Sequence, residues 1–358
     1  MIRVSEAVLP GHPDKFCDQV ADAIVAESYR VDPRAYCQVE VSVWSDQVWI
    51  SGGIATRESF ERPLDEIVRE VGRGIGYVSG NAIDADQYQV TDVVCRFVCD
   101  PREWTNHVND QAIVVGWAGY DANTDYLSPE HFLVDRLRGV LFESCRTGEL
   151  SGHGPDGKLL VRIRENSDAW QLEHVLVTLQ HLSEVDLVEV CAQVGRVIGD
   201  AYKDLQAADP RWVLDWDEVE LCVNPNGPLI NGGSDGDNGQ TGRKLVMDYY
   251  GPRVPIGGGA IFGKDLAHID RAGAYETRRI AIETVKSGAA ECKVIASYAP
   301  NIDGPIDVSF EIEGGVRPPD TARATLAHRE MRKNWLPKID GGSRKEWAPG
   351  GRGLRGIV

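Results

Sequence analysis

The feature that most constrains the fold is a pattern that occurs three times, two neighbouring β-strands followed by an amphipathic helix. In its first occurrence, residues 38–43 alternate between apolar and polar side chains, a turn follows at Ser45-Asp46, and residues 64–71 show helical periodicity. In the second occurrence the strands are 159–164 and 170–178 and the helix is 184–198. In the third the strands are 293–298 and 306–312 and the helix is 319–333. Because each unit buries its helix against one face of its strands, the pattern predicts an α+β fold of three pseudo-repeated β-β-α units with helices on mixed sheets.

The repeat divides the chain of 358 residues into predicted units at about 1–100, 101–215 and 216–335. The units share negligible sequence identity, so the repetition is one of architecture. The remaining segment, 336–358, is rich in Gly, Arg and Pro from Gly341 onward, and we expect it to be a flexible tail.

Composition excludes several classes of protein. The chain has 38 basic and 55 acidic residues, a net charge of −17, which argues against binding nucleic acid or an anionic membrane. It contains no apolar stretch of about 18 residues and no apolar signal core near Met1. Its eight cysteines are scattered singly, which indicates reduced thiols. We therefore expect a cytoplasmic protein, which can still bind a polyphosphate where basic residues cluster.

The first candidate site lies where residues 5–15 read Ser-Glu-Ala-Val-Leu-Pro-Gly-His-Pro-Asp-Lys. Pro13 suits the first turn of a helix, so His12 and Lys15 are expected at a helix N-terminus, where free N–H groups attract anions. Asp14 conflicts with an anion unless it holds Mg²⁺ that bridges to phosphate. The alternative is that Asp14 only caps the helix.

Two glycine-rich stretches follow near the C-terminal end. Residues 231–244 contain five glycines, and they also contain Asp237 and the pair Arg243-Lys244. Residues 257–265 contain a second glycine run that ends in Lys264-Asp265, and Asp270 opens a predicted helix, where capping is again the alternative role. Together the stretches predict a site for about three phosphates and more than one metal ion, with solvated loops as the alternative.

These motifs resemble those of the S-adenosylmethionine synthetase family, and the likeness covers most of residues 4–312. The matching segments are Ser5-Glu6, Gly11-His12-Pro13-Asp14-Lys15, Asp18-Gln19, Asp22-Ala23, Asn224-Pro225, Gly232-Gly233, Gly236-Asp237, Thr241-Gly242-Arg243-Lys244, Gly257-Gly258-Gly259-Ala260, Gly263-Lys264-Asp265 and Asp270-Arg271. Weaker matches are Asp110-Gln111, Pro155-Asp156 with Lys158, and Gln180-His181. The resemblance implies transfer of the adenosyl group of ATP to the sulfur of L-methionine, giving S-adenosylmethionine, phosphate and pyrophosphate.

The resemblance also implies residue roles. The expected catalytic residues, near the leaving triphosphate, are His12, Lys264 and Arg243. The expected binding residues for ATP and the amino acid are Glu6, Lys15, Asp110, Asp156, Lys158, Asp237, Arg243, Lys244, Lys264 and His268. The expected metal ligands are Asp14 and Asp270 for two Mg²⁺ ions and Glu40 for a possible K⁺ ion. A homodimer or homotetramer with sites at the subunit interface is implied as well.

The sequence departs from the family near the amino acid and adenine. Ile54 follows Gly53 where a glutamate is usual, Phe97 stands near the place of a glutamine, and His268 replaces a lysine. Pro228-Leu229 replaces an Arg-Phe pair, and residues 99–108 are shorter than the usual gating loop. Three alternatives therefore stay open: adenosyl transfer to another thioether or amino-acid acceptor, a metal-dependent triphosphatase, or a catalytically silent regulatory homologue.

Overall fold

The computed structural model describes residues 1–80 and 83–335, apart from the side chain of Glu103, and it confirms the predicted α+β fold. The predicted tail, 336–358, lies outside the described residues. The strands are β1 (Ile2–Val8), β2 (Tyr36–Trp44), β3 (Gln47–Thr56), β4 (Gln89–Asp92), β5 (Cys95–Val98), β6 (Ala112–Gly119), β7 (His153–Glu165), β8 (Trp170–His181), β9 (Glu220–Val223), β10 (Gly239–Gln240), β11 (Glu291–Tyr298) and β12 (Asp307–Glu313). The helices are α1 (Pro13–Val31), α2 (Leu64–Ile75), α3 (Arg102–Thr105), α4 (Pro129–Thr147), α5 (Leu187–Ala208), α6 (Leu245–Asp248), α7 (Ile269–Lys286), α8 (Ala322–Thr325) and α9 (His328–Trp335).

Three sheets, each backed by its own hydrophobic core, form the framework of the described chain. Their strand orders are β1-β7-β8-β9, β10-β2-β3-β4 with β5 also on β3, and β12-β11-β6. The sheets are mixed, because β3 pairs in parallel with β4 and β5, and β8 pairs in parallel with β9. In the described residues, no helix combines the length and the apolar character that crossing a membrane requires.

Strand pairing crosses the predicted boundaries at about 100 and 215. Strand β1 pairs with β7, although it precedes the first helix of the chain. Strand β6 pairs with β11, and β10 pairs with β2. The three units therefore exchange strands, so that each sheet is completed by a segment distant in sequence.

Local patterns were reliable in the first unit. The side chains of Val39, Val41 and Val43 are buried, and Ser45 has the positive φ of 50° that suits the tight turn after β2. In the second unit, Val188 near the start of α5 is apolar but 76% exposed. The buried stripe of α5 instead contains Val190 and Val194, two and six residues further along, which places Val188 on the opposite face of the helix.

The helix predicted at 319–333 is interrupted, so that α8 and α9 replace one continuous helix. At the break, the backbone N–H of His328 donates to the carbonyl of Asp303 at 2.7 Å. Its Nε2 lies 2.8 Å from the carbonyl oxygen of Ala267. The bond to Asp303 takes the place of a helical hydrogen bond for the N–H of His328, where α9 begins.

Candidate active site

Helix α1 begins at Pro13, as predicted, and its N-cap residue is His12. The Nδ1 atom of His12 accepts a hydrogen bond from the backbone N–H of Asp14 at 3.2 Å. Asp14 therefore does not cap the helix, which removes the alternative role considered for it. The imidazole of His12 satisfies one of the free N–H groups of the first turn and leaves the carboxylate of Asp14 available to other partners.

The side chain of His12 is held as a neutral imidazole. Burial, and after it the positive charges of Lys244 and Lys158, lower the pKa of His12 to about 3. Because Nδ1 accepts a hydrogen bond, the single ring proton belongs on Nε2. The nearly inaccessible side chain of His12 thus offers one N–H donor, next to positive groups that attract the same anionic acceptor.

The contacts of Asp14 define a first group of side chains, which we call the His12 cluster. Oδ1 of Asp14 accepts from the backbone N–H of Gln240 at 2.9 Å and lies 3.5 Å from Nη1 of Arg243. Its Oδ2 pairs with the ammonium of Lys244. The members are His12, Asp14, Asp156, Lys158, Asp237, Arg243 and Lys244.

Asp156 joins this cluster through the first glycine-rich loop. Its Oδ2 accepts from the backbone N–H of Gly233 at 2.8 Å, and burial raises its pKa to about 6. Asp237, which is exposed, also raises the pKa of Asp156 by repulsion. Lys158 projects from β7 beside them with an exposed side chain. The cluster thus gathers three cations around a buried neutral donor.

A second group repeats the same local geometry at the start of α7, and we call it the Asp270 cluster. His268 is the N-cap residue, and its Nδ1 accepts from the backbone N–H of Asp270 at 3.2 Å. The ammonium of Lys264 lies 2.6 Å from Oδ2 of Asp270, and Oδ2 of Asp110 lies 3.8 Å from Nε2 of His268. Capping by Asp270 is therefore also excluded. Within the described residues, no hydrogen bond or ion pair joins the two clusters directly.

The Asp270 cluster fits a hard cation better than zinc. Ligand atoms of Asp110, His268 and Asp270 all lie within 4.8 Å of one another. However, Nδ1 of His268 already accepts a hydrogen bond, and burial lowers its pKa, so the neutral ring carries its proton on Nε2 and offers no free nitrogen lone pair. The carboxylate of Asp270 remains beside Lys264, and carboxylate oxygens are the ligands that Mg²⁺ prefers.

Glu40 lies between the two glycine-rich loops. Its carboxyl group hydrogen-bonds with Thr241 of the first loop and is within electrostatic range of Lys264 in the second. Burial raises the pKa of Glu40, and the charge of Lys264 and the hydrogen bond with Thr241 partly oppose this rise. Glu6 lies two residues before Val8, which pairs with Lys158, so both predicted binding residues face the same side of the β1-β7 pair.

Lys15, a predicted ATP-binding residue, lies apart from the two clusters. Its side chain is buried, and its Nζ atom lies 2.8 Å from Oδ2 of Asp18 and 2.7 Å from Oδ1 of Asp248. The same ammonium lies 4.0 Å from the centre of the Phe262 ring. Lys15 lies in the first turn of α1, and its side chain points into the interior, where its charge is already paired with two carboxylates.

Sequence reasoning assigned no role to Asp18 and Asp22, which act together with Asp14 as an acidic ladder on α1. The three carboxylates accept backbone N–H groups from Gln240 at 2.9 Å, Gly242 at 2.8 Å and Gly263 at 2.9 Å. One helix therefore orders both glycine-rich loops. The four-residue spacing of these aspartates, which places them on one helical face, was the available signal.

Close backbone approach explains two of the glycines. A Cβ atom on Gly239 would lie 2.3 Å from the carbonyl carbon of Pro13. One on Gly259 would lie 2.0 Å from the carboxyl carbon of Asp270. Each loop is thus held against the acidic second residue of its helix, a position that only glycine can occupy without displacement.

Comparison with known proteins matches both ends of the chain to one family. The model of the S-adenosylmethionine synthetase N-terminal domain matches residues 1–96, and that of the C-terminal domain matches residues 231–332. The chain belongs to the S-adenosylmethionine synthetase family. It is 33% identical to an S-adenosylmethionine synthase of Bifidobacterium adolescentis over 87% of this chain and 81% of that protein. It is also 33% identical to one of Nocardia farcinica, over 91% and 85%.

A solved structure, described as an unusual S-adenosylmethionine synthetase from Campylobacter jejuni, shares the fold over the whole chain. Its TM-score is 0.86 at 25% identity, and the match covers 100% of this chain and 95% of that one. The three-sheet architecture described above is therefore an S-adenosylmethionine synthetase fold. The chain is an enzyme of the methionine adenosyltransferase type by this membership.

The structure shows the surroundings of Ile54 and Gly53, where the sequence departs from the S-adenosylmethionine synthetase family. Ile54 is 1% exposed and packs into the core of the first sheet, so a carboxylate there would not reach a ligand. Gly53 occupies the outward position beside it. A Cβ atom on Gly53 would be 3.9 Å from the carbonyl oxygen of Cys95 and 4.0 Å from Cε2 of Phe97, both ordinary contacts. Space for a longer side chain therefore exists at Gly53.

Proposed function

We propose that this protein transfers the adenosyl group of ATP to the sulfur of L-methionine and releases the triphosphate as phosphate and pyrophosphate. The observation that carries the proposal is His12, held as a neutral N–H donor within electrostatic range of Lys158, Arg243 and Lys244. Family membership supports the same activity. A buried donor surrounded by cations suits a leaving group whose negative charge grows during the reaction.

The chemistry needs charge stabilisation and positioning, and it needs no general base. A lone pair of the thioether sulfur attacks C5′ of ATP, the C5′–O bond breaks, and its electron pair leaves with the triphosphate. The sulfur becomes a sulfonium cation without losing a proton. Nε2–H of His12 would donate to the departing oxygen, while Arg243 and Lys264 would hold the triphosphate for its subsequent hydrolysis.

The carboxylates of the two clusters fit Mg²⁺. We assign one ion to the carboxylate of Asp14 and another to that of Asp270. Each carboxylate faces a lysine, Lys244 and Lys264 respectively. Glu40, between the loops, would hold K⁺. Bound Mg²⁺ supplies positive charge to the phosphate oxygens; the lysines and arginine orient the same oxygens and neutralise the remaining charge.

A complete site would be made by two copies of the chain. The His12 and Asp270 clusters hold complementary parts of the phosphate-binding set but are separate groups in one copy. The outward faces of the strands expose large apolar side chains, among them Trp49 at 43%, Val98 at 70% and Ile113 at 56%. Such a surface favours a homodimer or homotetramer with sites at the interface. No part of this proposal requires nucleic acid or a membrane, and a cytoplasmic location agrees with it.

Product analysis tests the proposal. With ATP, Mg²⁺, K⁺ and L-methionine, we expect mass spectrometry to show S-adenosylmethionine in equal amount to phosphate and to pyrophosphate. Phosphate release without any sulfonium product would indicate a triphosphatase, and binding of an ATP analogue without turnover would indicate a silent homologue. A sulfonium product obtained only with another thioether would contradict methionine as the acceptor.

Replacing Gly53 with glutamate is expected to lower the KM for L-methionine about twofold to fivefold. The new carboxylate would extend from the outward face of β3 beside Phe97 and attract the acceptor ammonium, an exposed charge pair of up to about 1 kcal/mol. Steady-state kinetics with Gly53→Gln as the neutral control measures this effect. Equal KM values in the two variants would contradict it.

A further inference from the structure

Three aromatic side chains meet at the edge of the first sheet. Tyr36 and Phe97 lie opposite Ala55 on the two strands that flank it, β2 and β5. Trp104, from α3, contacts both rings: its centroid is 5.5 Å from that of Tyr36 at 78° and 5.6 Å from that of Phe97 at 89°. Phe97 is 47% exposed and Trp104 37% exposed. We call these three residues the aromatic corner.

The aromatic corner adjoins the Asp270 cluster. Nδ2 of Asn109 donates to the carbonyl oxygen of Trp104 at 3.3 Å, and the next residue, Asp110, faces His268. Burial is the main cause of the raised pKa of Tyr36, and the charge of Asp110 raises it further. The carboxylate of Asp110 is therefore within electrostatic range of the phenol. Gly53 leaves the surface beside Phe97 free of any side chain. The corner therefore combines π-faces and a carboxylate beside a position that carries no side chain.

We propose that Tyr36, Phe97 and Trp104, together with Asp110, form a cage for the sulfonium centre that adenosyl transfer creates, and that Trp104 is its main recognition residue. This inference rests on the proposed function. Rings that meet at steep angles bound a corner, a geometry that suits a compact cation, whereas a flat nucleobase stacks best on a single parallel ring. The thioether sulfur is neutral before attack and positive afterwards. Attraction to the rings and to Asp110 therefore grows along the reaction and lowers its barrier.

Binding measurements with two adenosyl compounds isolate this effect. S-Adenosylmethionine carries the sulfonium, and S-adenosylhomocysteine has the same skeleton with a neutral sulfur. By isothermal titration calorimetry, the wild-type protein should bind the sulfonium at least about tenfold more tightly than the thioether. Trp104→Ala should reduce this ratio about tenfold. Trp104→Phe should reduce it less, because a phenyl ring still attracts a cation, although more weakly than indole does. In kinetics, Trp104→Ala should lower kcat more than it raises KM.

Matched variants separate the cage from general effects on folding or assembly. Trp44 is also exposed on β2 but lies outside the corner, so Trp44→Ala should leave the ratio unchanged. Phe97→Leu keeps an apolar side chain of similar size and should still lower the ratio. An unchanged ratio in both Trp104→Ala and Phe97→Leu would overturn the proposal. This holds also if the affinity for both compounds falls equally, which is the result expected when a base-stacking contact is lost. A wild-type protein that forms no sulfonium product would instead refute the proposed function.

Discussion

Replacing His12 with alanine is expected to lower kcat for adenosyl transfer about 100- to 1000-fold, while ATP continues to bind. The loss follows from removing the Nε2–H donor. The negative charge that this donor stabilises develops on the departing oxygen only as the C5′–O bond breaks. ATP binding persists because Lys158, Arg243 and Lys244 retain their charges. Single-turnover kinetics and calorimetry with a non-hydrolysable ATP analogue would measure the two effects separately.

His12→Asn controls for the capping role of this residue. Loss of the cap in His12→Ala should cost about 1 kcal/mol of stability, and asparagine, a strong N-cap, should recover it. A rate restored to the wild-type value by asparagine would show that capping, not the imidazole, is what catalysis needs.

The pH profile provides an independent check on the same side chain. Because the pKa of His12 is lowered to about 3, the imidazole remains neutral above about pH 4. A His12 side chain that titrated at its ordinary pKa would give the wild-type rate a step near pH 6.5, and His12→Asn would lack that step. We expect no such step in the wild-type rate.

The local elements were predictable because their signals are local. The alternation of Val39, Val41 and Val43 has the period of a strand, and the structure contains that strand. The exchange of β1 and β6 between units was not predictable, because strand pairing over more than 100 residues leaves no trace in periodicity. Any apolar strand can complete a sheet edge, so only the three-dimensional packing selects the partner.

The site was predictable in composition and only partly in geometry. Residue types and glycine spacing brought Asp14, Lys244, Lys264 and Asp270 to notice, and the structure joins them in two lysine–aspartate pairs. The direction of each side chain depends on its position within the helical turn and on the segments that pack against the helix. Sequence therefore treated Lys15 as equivalent to the other cations.

Lys15→Met is expected to lower the free energy of unfolding by about 3–5 kcal/mol, as removal of one partner from a buried ion pair usually does. The methionine would leave Asp18 and Asp248 buried without their shared cation, and Oδ2 of Asp248 has no hydrogen-bond partner among the described residues even now. Chemical denaturation followed by tryptophan fluorescence would measure the loss. The deficit should shrink between pH 8 and pH 6, because burial already raises the pKa of Asp248 to about 7 and its protonation removes the unpaired charge.

Lys158→Met is the matched control, since both lysines were first expected to bind ATP and only one is exposed. It should change stability by less than about 0.5 kcal/mol and raise the KM for ATP, which is the opposite of the pattern expected for Lys15. Adding Asp248→Asn to Lys15→Met should recover part of the lost stability, because the amide carries no charge that needs a partner. A Lys15→Met protein as stable as the wild type, with weakened ATP binding, would show that this ammonium faces the triphosphate after all, and the ladder of aspartates on α1 would then order the loops without a buried cation beneath them.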